Sequence, residues 1–112
     1  MTASAEIREV DWQKTVTACM DTFGWTWNHT RRSIGGKGKG WVTATTLKGW
    51  PDLVAWRGPR LLFVELKTDS GRLTNDQQVV LVELQEVARA NPHVEVHVWR
   101  PKDWPQVVEV LR

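Results

Sequence analysis

Two short apolar runs, Leu53 to Trp56 and Leu61 to Leu66, flank Arg57-Gly58-Pro59-Arg60, and this pattern constrains the fold more than any other in the chain. Each run is too short for a stable helix and the linker carries a Gly-Pro turn signature, so the pattern predicts an antiparallel hairpin. Just ahead of it, in Gly49-Trp50-Pro51-Asp52, Pro51 biases Trp50 toward extended geometry and prevents a helix from running into the hairpin. Asp52 then opens the first strand and Glu65 falls near the end of the second, so folding the hairpin brings two carboxylates together.

The flanking segments suggest what covers that hairpin. Trp12, Val16, Cys19, Met20 and Phe23 recur at helical spacing and Gly24 ends the run, with Glu9 three residues before Trp12 on the same expected side. Trp25 to His29 reads as a strand, Thr30 to Gly40 as a mobile glycine-rich loop and Trp41 to Leu47 as extended. Thr74-Asn75-Asp76 forms the cap region of a second helix reaching about Ala90, with Leu81, Leu84 and Ala88 inward and Gln77 one turn before Leu81. His93 to Trp99 alternates as a half-buried strand with His93 and His97 toward solvent, and Asp103 to Leu111 closes the chain as a helix. The expected order is α-β-β-β-α-β-α, an α/β domain with a mixed sheet flanked by helices, spanning 1–112 as one unit.

Charge is distributed unevenly. No Asp or Glu occurs between Asp21 and Asp52, a stretch that holds Arg31, Arg32, Lys37, Lys39 and Lys48; the remaining ten Lys and Arg face 13 carboxylates. A segment of that kind suits a polyanion, because phosphate contacts need clustered cations whatever the total charge, although a solvated basic loop has the same composition. His29 at its edge is a further candidate phosphate contact. The lone Cys19 excludes an internal disulfide and a cysteine-based zinc site. Met1 to Arg8 lacks a basic start followed by an apolar run, and no stretch of about 18 apolar residues could span a membrane. The expectation is a cytoplasmic protein without a membrane partner, in the host cytoplasm if viral.

Glu65-Leu66-Lys67 is the sharpest chemical feature. Residues two apart on a strand share a face, so Glu65 and Lys67 project together while Leu66 turns into the core, and Asp52 can join them from the paired strand. Two carboxylates a few ångströms apart repel when ionised and call for a cation, and oxygen ligands suit Mg²⁺, with the Leu66 carbonyl able to supply a further oxygen. A cation held there could neutralise a phosphodiester while Lys67 orients the nucleophile or stabilises the developing charge. By itself a Glu-x-Lys strand is more often an exposed ion-paired face. The eight tryptophans are mostly core material, though an exposed one could stack on an unpaired base.

Gly49-Trp50-Pro51-Asp52, Phe63-Val64-Glu65-Leu66-Lys67-Thr68 and Gly71-Arg72-Leu73-Thr74 with Gln77 together resemble the PD-(D/E)XK nuclease superfamily, and within it the virus-type replication-repair nuclease (VRR-NUC) family, especially its stand-alone phage members. The likeness runs from about Glu9 to Arg100. It implies a restriction-endonuclease-like core and DNA cleavage with Mg²⁺, for which Mn²⁺ substitutes. Residue by residue it places metal ligands on Asp52 and Glu65, the catalytic lysine on Lys67, the second-helix glutamine on Gln77 and the first-helix glutamate on Glu9, with Glu6 the alternative register; Arg72 joins the DNA contacts. It further implies branched DNA such as Holliday junctions as substrate. Two symmetric incisions by chains with one centre each imply a homodimer, for which Val79 to Val82 and Val107 to Val110 offer apolar material. The alternatives are a nicking or non-specific endonuclease, an RNA-directed one, a catalytically silent nucleic-acid-binding accessory protein, or an interaction module using its tryptophans.

If Arg31, Arg32, Lys37 and Lys39 grip the DNA backbone, replacing all four with Ala should flatten the salt dependence of binding by roughly one power of salt for each phosphate left without its cation. An unchanged slope in a binding titration would leave the segment a solvated connector.

Overall fold

A computed structural model describes residues 6–30, 32–34, 41–43 and 47–112, with the backbone alone for 32–34 and 41–43. The chain is α/β, with a four-stranded mixed open sheet flanked by helices. Helix α1 (Glu9–Thr22) is followed by strands β1 (Thr26–His29), β2 (Arg32–Ile34), β3 (Trp41–Thr43), β4 (Leu53–Arg57) and β5 (Arg60–Leu66). Helix α2 (Asn75–Ala90), strand β6 (Val94–Trp99), a 3₁₀ turn (Pro101–Asp103) and helix α3 (Trp104–Leu111) complete it.

The expected hairpin is β4–β5, with Leu53 opposite Val64 and Arg57 opposite Arg60, turning through Gly58 at φ +57°. β1 pairs antiparallel with β4, and β6 joins β5 in parallel after the crossover through α2, giving the order β1-β4-β5-β6. The segment expected to be loop from Thr30 to Gly40 is not loop throughout. Arg32–Ile34 pairs antiparallel with Trp41–Thr43 as a separate two-stranded ribbon between β1 and β4. Period-two patterning is too short on either side of the glycines to announce so brief a pair. Arg31, Lys37 and Lys39 lie outside the described residues, as does the side chain of Arg32.

The two faces of the sheet are covered unequally. On one, α1 and α3 bury Trp12, Val16, Met20, Val107 and Leu111 against Leu53, Ala55, Leu62, Val64 and Leu66, and this is the main core. Two of the indoles within it reach backbone acceptors: Trp12 Nε1 donates to the Trp99 carbonyl at 3.0 Å and Trp25 Nε1 to that of Leu111 at 2.8 Å. Arg57 and Arg60 lie over the Trp25 ring, 4.6 and 4.9 Å from its centroid, and donate to carbonyls at the end of α3. Among the described helices the other face receives α2, which lies beside β6 and buries Gln77, Val80 and Leu81. Val107 is therefore core and Val110 packs against it, while Val79 and Val82 point outward. His97 does not stand free in solvent as the alternation suggests; half-buried, it stacks on Trp99 and meets Glu95 at 3.1 Å, because that face of β6 belongs to the main core.

Gly49 joins this frame to α2. Its φ is +87°, and a Cβ there would fall 2.4 Å from the Asp76 carbonyl carbon and 2.7 Å from the Gln77 nitrogen. The chain entering β4 thus lies directly against the first turn of α2, which only glycine permits. Gly49→Ala should cost at least about 2 kcal/mol, since both strain and backbone collision oppose it. A urea-denaturation difference of less than about 0.5 kcal/mol would contradict that close approach.

Candidate active site

Glu65 is 1% exposed, an unusual place for a carboxylate without a cationic partner in contact. It occupies the α2 face of β5, alternating with core-facing Val64 and Leu66, so the strand period itself directs it away from the main core. Extending the β4–β5 register by one residue sets Asp52 opposite it. Asp52 does more than face Glu65: its Oδ2 accepts from the Leu66 amide at 2.8 Å, capping the ladder where backbone pairing ends. That bond fixes the carboxylate in orientation beside Glu65, within hydrogen-bonding reach of it. The Asp52 carbonyl accepts from the Thr30 amide at 2.9 Å, so β1 steadies the residue from its other side.

Gln77 holds Glu65 from α2. Thr74 and Gln77 form a reciprocal capping box, in which Gln77 Oε1 accepts from the Thr74 amide at 2.9 Å and Thr74 Oγ1 from the Gln77 amide at 3.1 Å. With its oxygen committed to the cap, the carboxamide has only its NH₂ to offer the sheet, and Nε2 donates to Glu65 Oε1 at 3.3 Å. Among the described residues Glu65 Oε2 is buried and receives no hydrogen bond from an N–H or hydroxyl group; the group beside Glu65 is the Asp52 carboxyl, with which a protonated Glu65 shares a hydrogen bond. Burial first, and then the adjoining Asp52 carboxyl, push the Glu65 pKa up to about 9; Lys67 opposes the shift and Glu9 adds to it.

Lys67 follows β5 directly, half-buried, with its amide donating to the Trp99 carbonyl at 3.1 Å. That oxygen is the one that also accepts the Trp12 indole. Beyond Lys67 the loop is held by Arg100, whose Nη1 donates to the carbonyls of Thr68 and Gly71, both at 2.6 Å. Gly71 packs closely on the Thr68 side chain, since a Cβ there would lie 2.9 Å from Thr68 Oγ1, while Lys67 Cδ at 3.6 Å would be in ordinary contact. Sequence reasoning misses Arg100. An arginine after a strand carries no local signal, and its partners are carbonyls 29 to 32 positions away. The capping box is readable in Thr74-Asn75-Asp76-Gln77 and explains which way Gln77 faces.

Glu9 is the first residue of α1 and exposed, one turn before buried Trp12, and its charge is felt at Glu65. Glu6 precedes the helix and is committed elsewhere, accepting from the Ser70 amide at 2.6 Å and its hydroxyl at 2.9 Å. Lys48 and Arg72 are exposed and His29 half-buried.

Among the described residues no group of three or more His, Cys, Asp or Glu side chains gathers closely enough to hold a metal ion. The donors that do meet, Asp52 and Glu65, nevertheless suit a hard divalent cation: one buried carboxylate oxygen receives no N–H or hydroxyl hydrogen bond from the described residues, and the adjoining carboxyl, held in place by the Leu66 amide, is a second hard oxygen donor once the proton between the two is displaced. The Leu66 carbonyl lies between them in sequence as a possible third oxygen. No protein-family model and no curated protein sequence matches the chain.

Between the ordinary carboxyl range and about pH 9, folded metal-free protein keeps a proton on Glu65 that the unfolded chain has lost, so stability should fall as pH rises through that window. Glu65→Gln removes this contribution. Thermal melts in chelator from about pH 6 to about pH 9 should show a shallower decline for the variant; parallel curves would refute the buried, proton-holding state.

Proposed function

We propose that the chain is a Mg²⁺-dependent nuclease of the PD-(D/E)XK type with a restriction-endonuclease-like core, acting on DNA and most readily on branched DNA such as Holliday junctions. The observation that carries the reading is the buried Glu65 oxygen that receives no N–H or hydroxyl hydrogen bond from the described residues, beside the Asp52 carboxyl and on the strand that leads into Lys67. A structural role accounts poorly for it: without a cation the buried pair is tolerated only by keeping a proton, which lowers stability as pH rises, whereas an apolar pair would carry no such penalty.

Asp52 and Glu65 would hold the cation, which supplies Lewis acidity toward a phosphodiester oxygen and makes an attacking water more acidic. Asp52 is positioned for this by the Leu66 amide, and Glu65 by Gln77. Each is therefore pre-oriented before any ligand arrives. Lys67 brings a positive charge to the same face, where it can orient the water or stabilise charge on the phosphate as the P–O bond to the leaving strand breaks and the water oxygen bonds to phosphorus. Arg100 and Gly71 keep the loop after it in one conformation. Lys48, His29 and Arg72, together with the acid-free segment before Asp52, supply positive character for the DNA backbone. One such centre cuts one strand, so resolving a junction would take a two-fold homodimer, for which the outward Val79 and Val82 of α2 offer apolar surface.

The test is a cleavage panel of labelled duplex, flap, fork and four-way junction DNA in Mg²⁺, Mn²⁺ or Ca²⁺, on samples sized by light scattering. Cleavage in the first two ions, best on the junction and by a particle of twice 12.9 kDa, is the expected result. Asp52→Asn, Glu65→Gln and Lys67→Ala should each lower turnover by at least about 100-fold while DNA binding survives. Full activity in any one of them would remove that residue from the mechanism, and a monomer on junction DNA would remove the resolving step.

A further inference from the structure

The face of the sheet that carries Glu65 is covered by α2 only beside β6. Further along it, β1 and β4 present Thr26, Asn28, Val54 and Trp56, of which Thr26, Asn28 and Trp56 are exposed. Trp56 is 42% exposed although it sits inside a strand of the main sheet, between Thr26 on β1 and Leu61 on β5. It differs from the other described tryptophans. The indoles of Trp12, Trp25 and Trp27 donate hydrogen bonds, and the rings of Trp50, Trp99 and Trp104 meet another ring. Among the described residues Trp56 is the tryptophan with neither kind of partner.

Its position relates it to the candidate active site. Asp52, Val54 and Trp56 share one face of the chain while Leu53 and Ala55 are buried in the core on the other, so Trp56 stands about 13 Å from Asp52 along the same strand. The charge of the sequence around this strand also favours a polyanion: from Thr22 to Val64 Asp52 is the sole carboxylate, against seven Lys and Arg. Two of those, Arg57 and Arg60, are engaged by Trp25, leaving five in the acid-free segment between β1 and β4.

We propose that Trp56 is a stacking platform for an unpaired nucleobase of the strand whose phosphate lies at Asp52 and Glu65. The proposal rests on the nuclease reading and narrows its substrate to DNA with unpaired bases next to the cut. An indole face accepts any base, so recognition is by the absence of pairing and not by sequence. A fully paired base cannot reach a flat sheet face without leaving its stack, whereas a base on the single strand of a flap or fork can, and a four-way junction would offer one only by opening a pair at its branch point.

Binding is measured by anisotropy of a labelled single-stranded oligonucleotide in Ca²⁺, for wild type, Trp56→Ala and Trp56→Phe, with a single abasic residue walked along the strand. Trp56→Ala should bind about 10-fold more weakly and Trp56→Phe should recover most of that affinity. One abasic position should weaken the wild type by a similar factor and leave Trp56→Ala unaffected, because the two changes remove the same stacking interaction. Equal affinity of wild type and Trp56→Ala, or an equal loss on every abasic oligonucleotide, overturns the proposal. So does a change in mass by light scattering that tracks the affinity loss, which would make this face a contact between copies of the chain. The nuclease reading fails separately: wild type that shows the abasic pattern but cuts nothing in Mg²⁺ keeps the platform and loses the enzyme.

Discussion

Burying Glu65 is the constraint around which the rest of the structure is arranged. A carboxylate with almost no access to water tolerates few surroundings, and each neighbour here answers part of its demand. Gln77 supplies one hydrogen bond, Lys67 supplies countercharge, and Asp52 raises the cost of ionisation while placing a second carboxyl beside it. The capping box directs the Gln77 amide, the Leu66 amide directs Asp52, and Gly49 lets the entry to β4 lie against the turn of α2 that carries Gln77. Stability and function draw on opposite faces of one sheet: α1 and α3 bury most of the apolar surface on one side, leaving the other free to hold a group that opposes folding.

Much of this is legible in the sequence where the signal is local. The hairpin follows from two apolar runs and a Gly-Pro turn, and the projection of Glu65 and Lys67 away from Leu66 follows from the period of a strand. The second helix announces itself through Thr74 and through the inward phase of Gln77 and Leu81. The hairpin alone places Asp52 opposite Glu65, though not its bond to the Leu66 amide, because side-chain capping of a strand end leaves no pattern.

What stays hidden depends on distance or on competition between faces. Arg100 reaches back to the loop after Lys67, Trp25 is gripped by two arginines and the end of α3, and nothing near these residues in sequence points to their partners. The ribbon of β2 and β3 is too short for periodicity to reveal. Helical phase puts Glu9 on the same side as Trp12 but does not say how much is covered there: as the first residue of α1 it is exposed, with its charge still felt at Glu65. His97 departs from expectation: alternation assigns it to a polar face, but that face is closed over by Trp99 and Glu95.

The Trp99 carbonyl accepts two donors at once, the indole of Trp12 from the main core and the amide of Lys67 at the edge of the candidate site. Being backbone, it survives every side-chain substitution, so its two donors are tied together through an atom that mutation does not delete. Removing the Trp12 indole leaves that oxygen to Lys67 alone. The seat of α1 and the start of the segment after β5 thus share one acceptor, and a variant chosen for its effect on packing at Trp12 changes the hydrogen bonding of the strand end from which Lys67 projects.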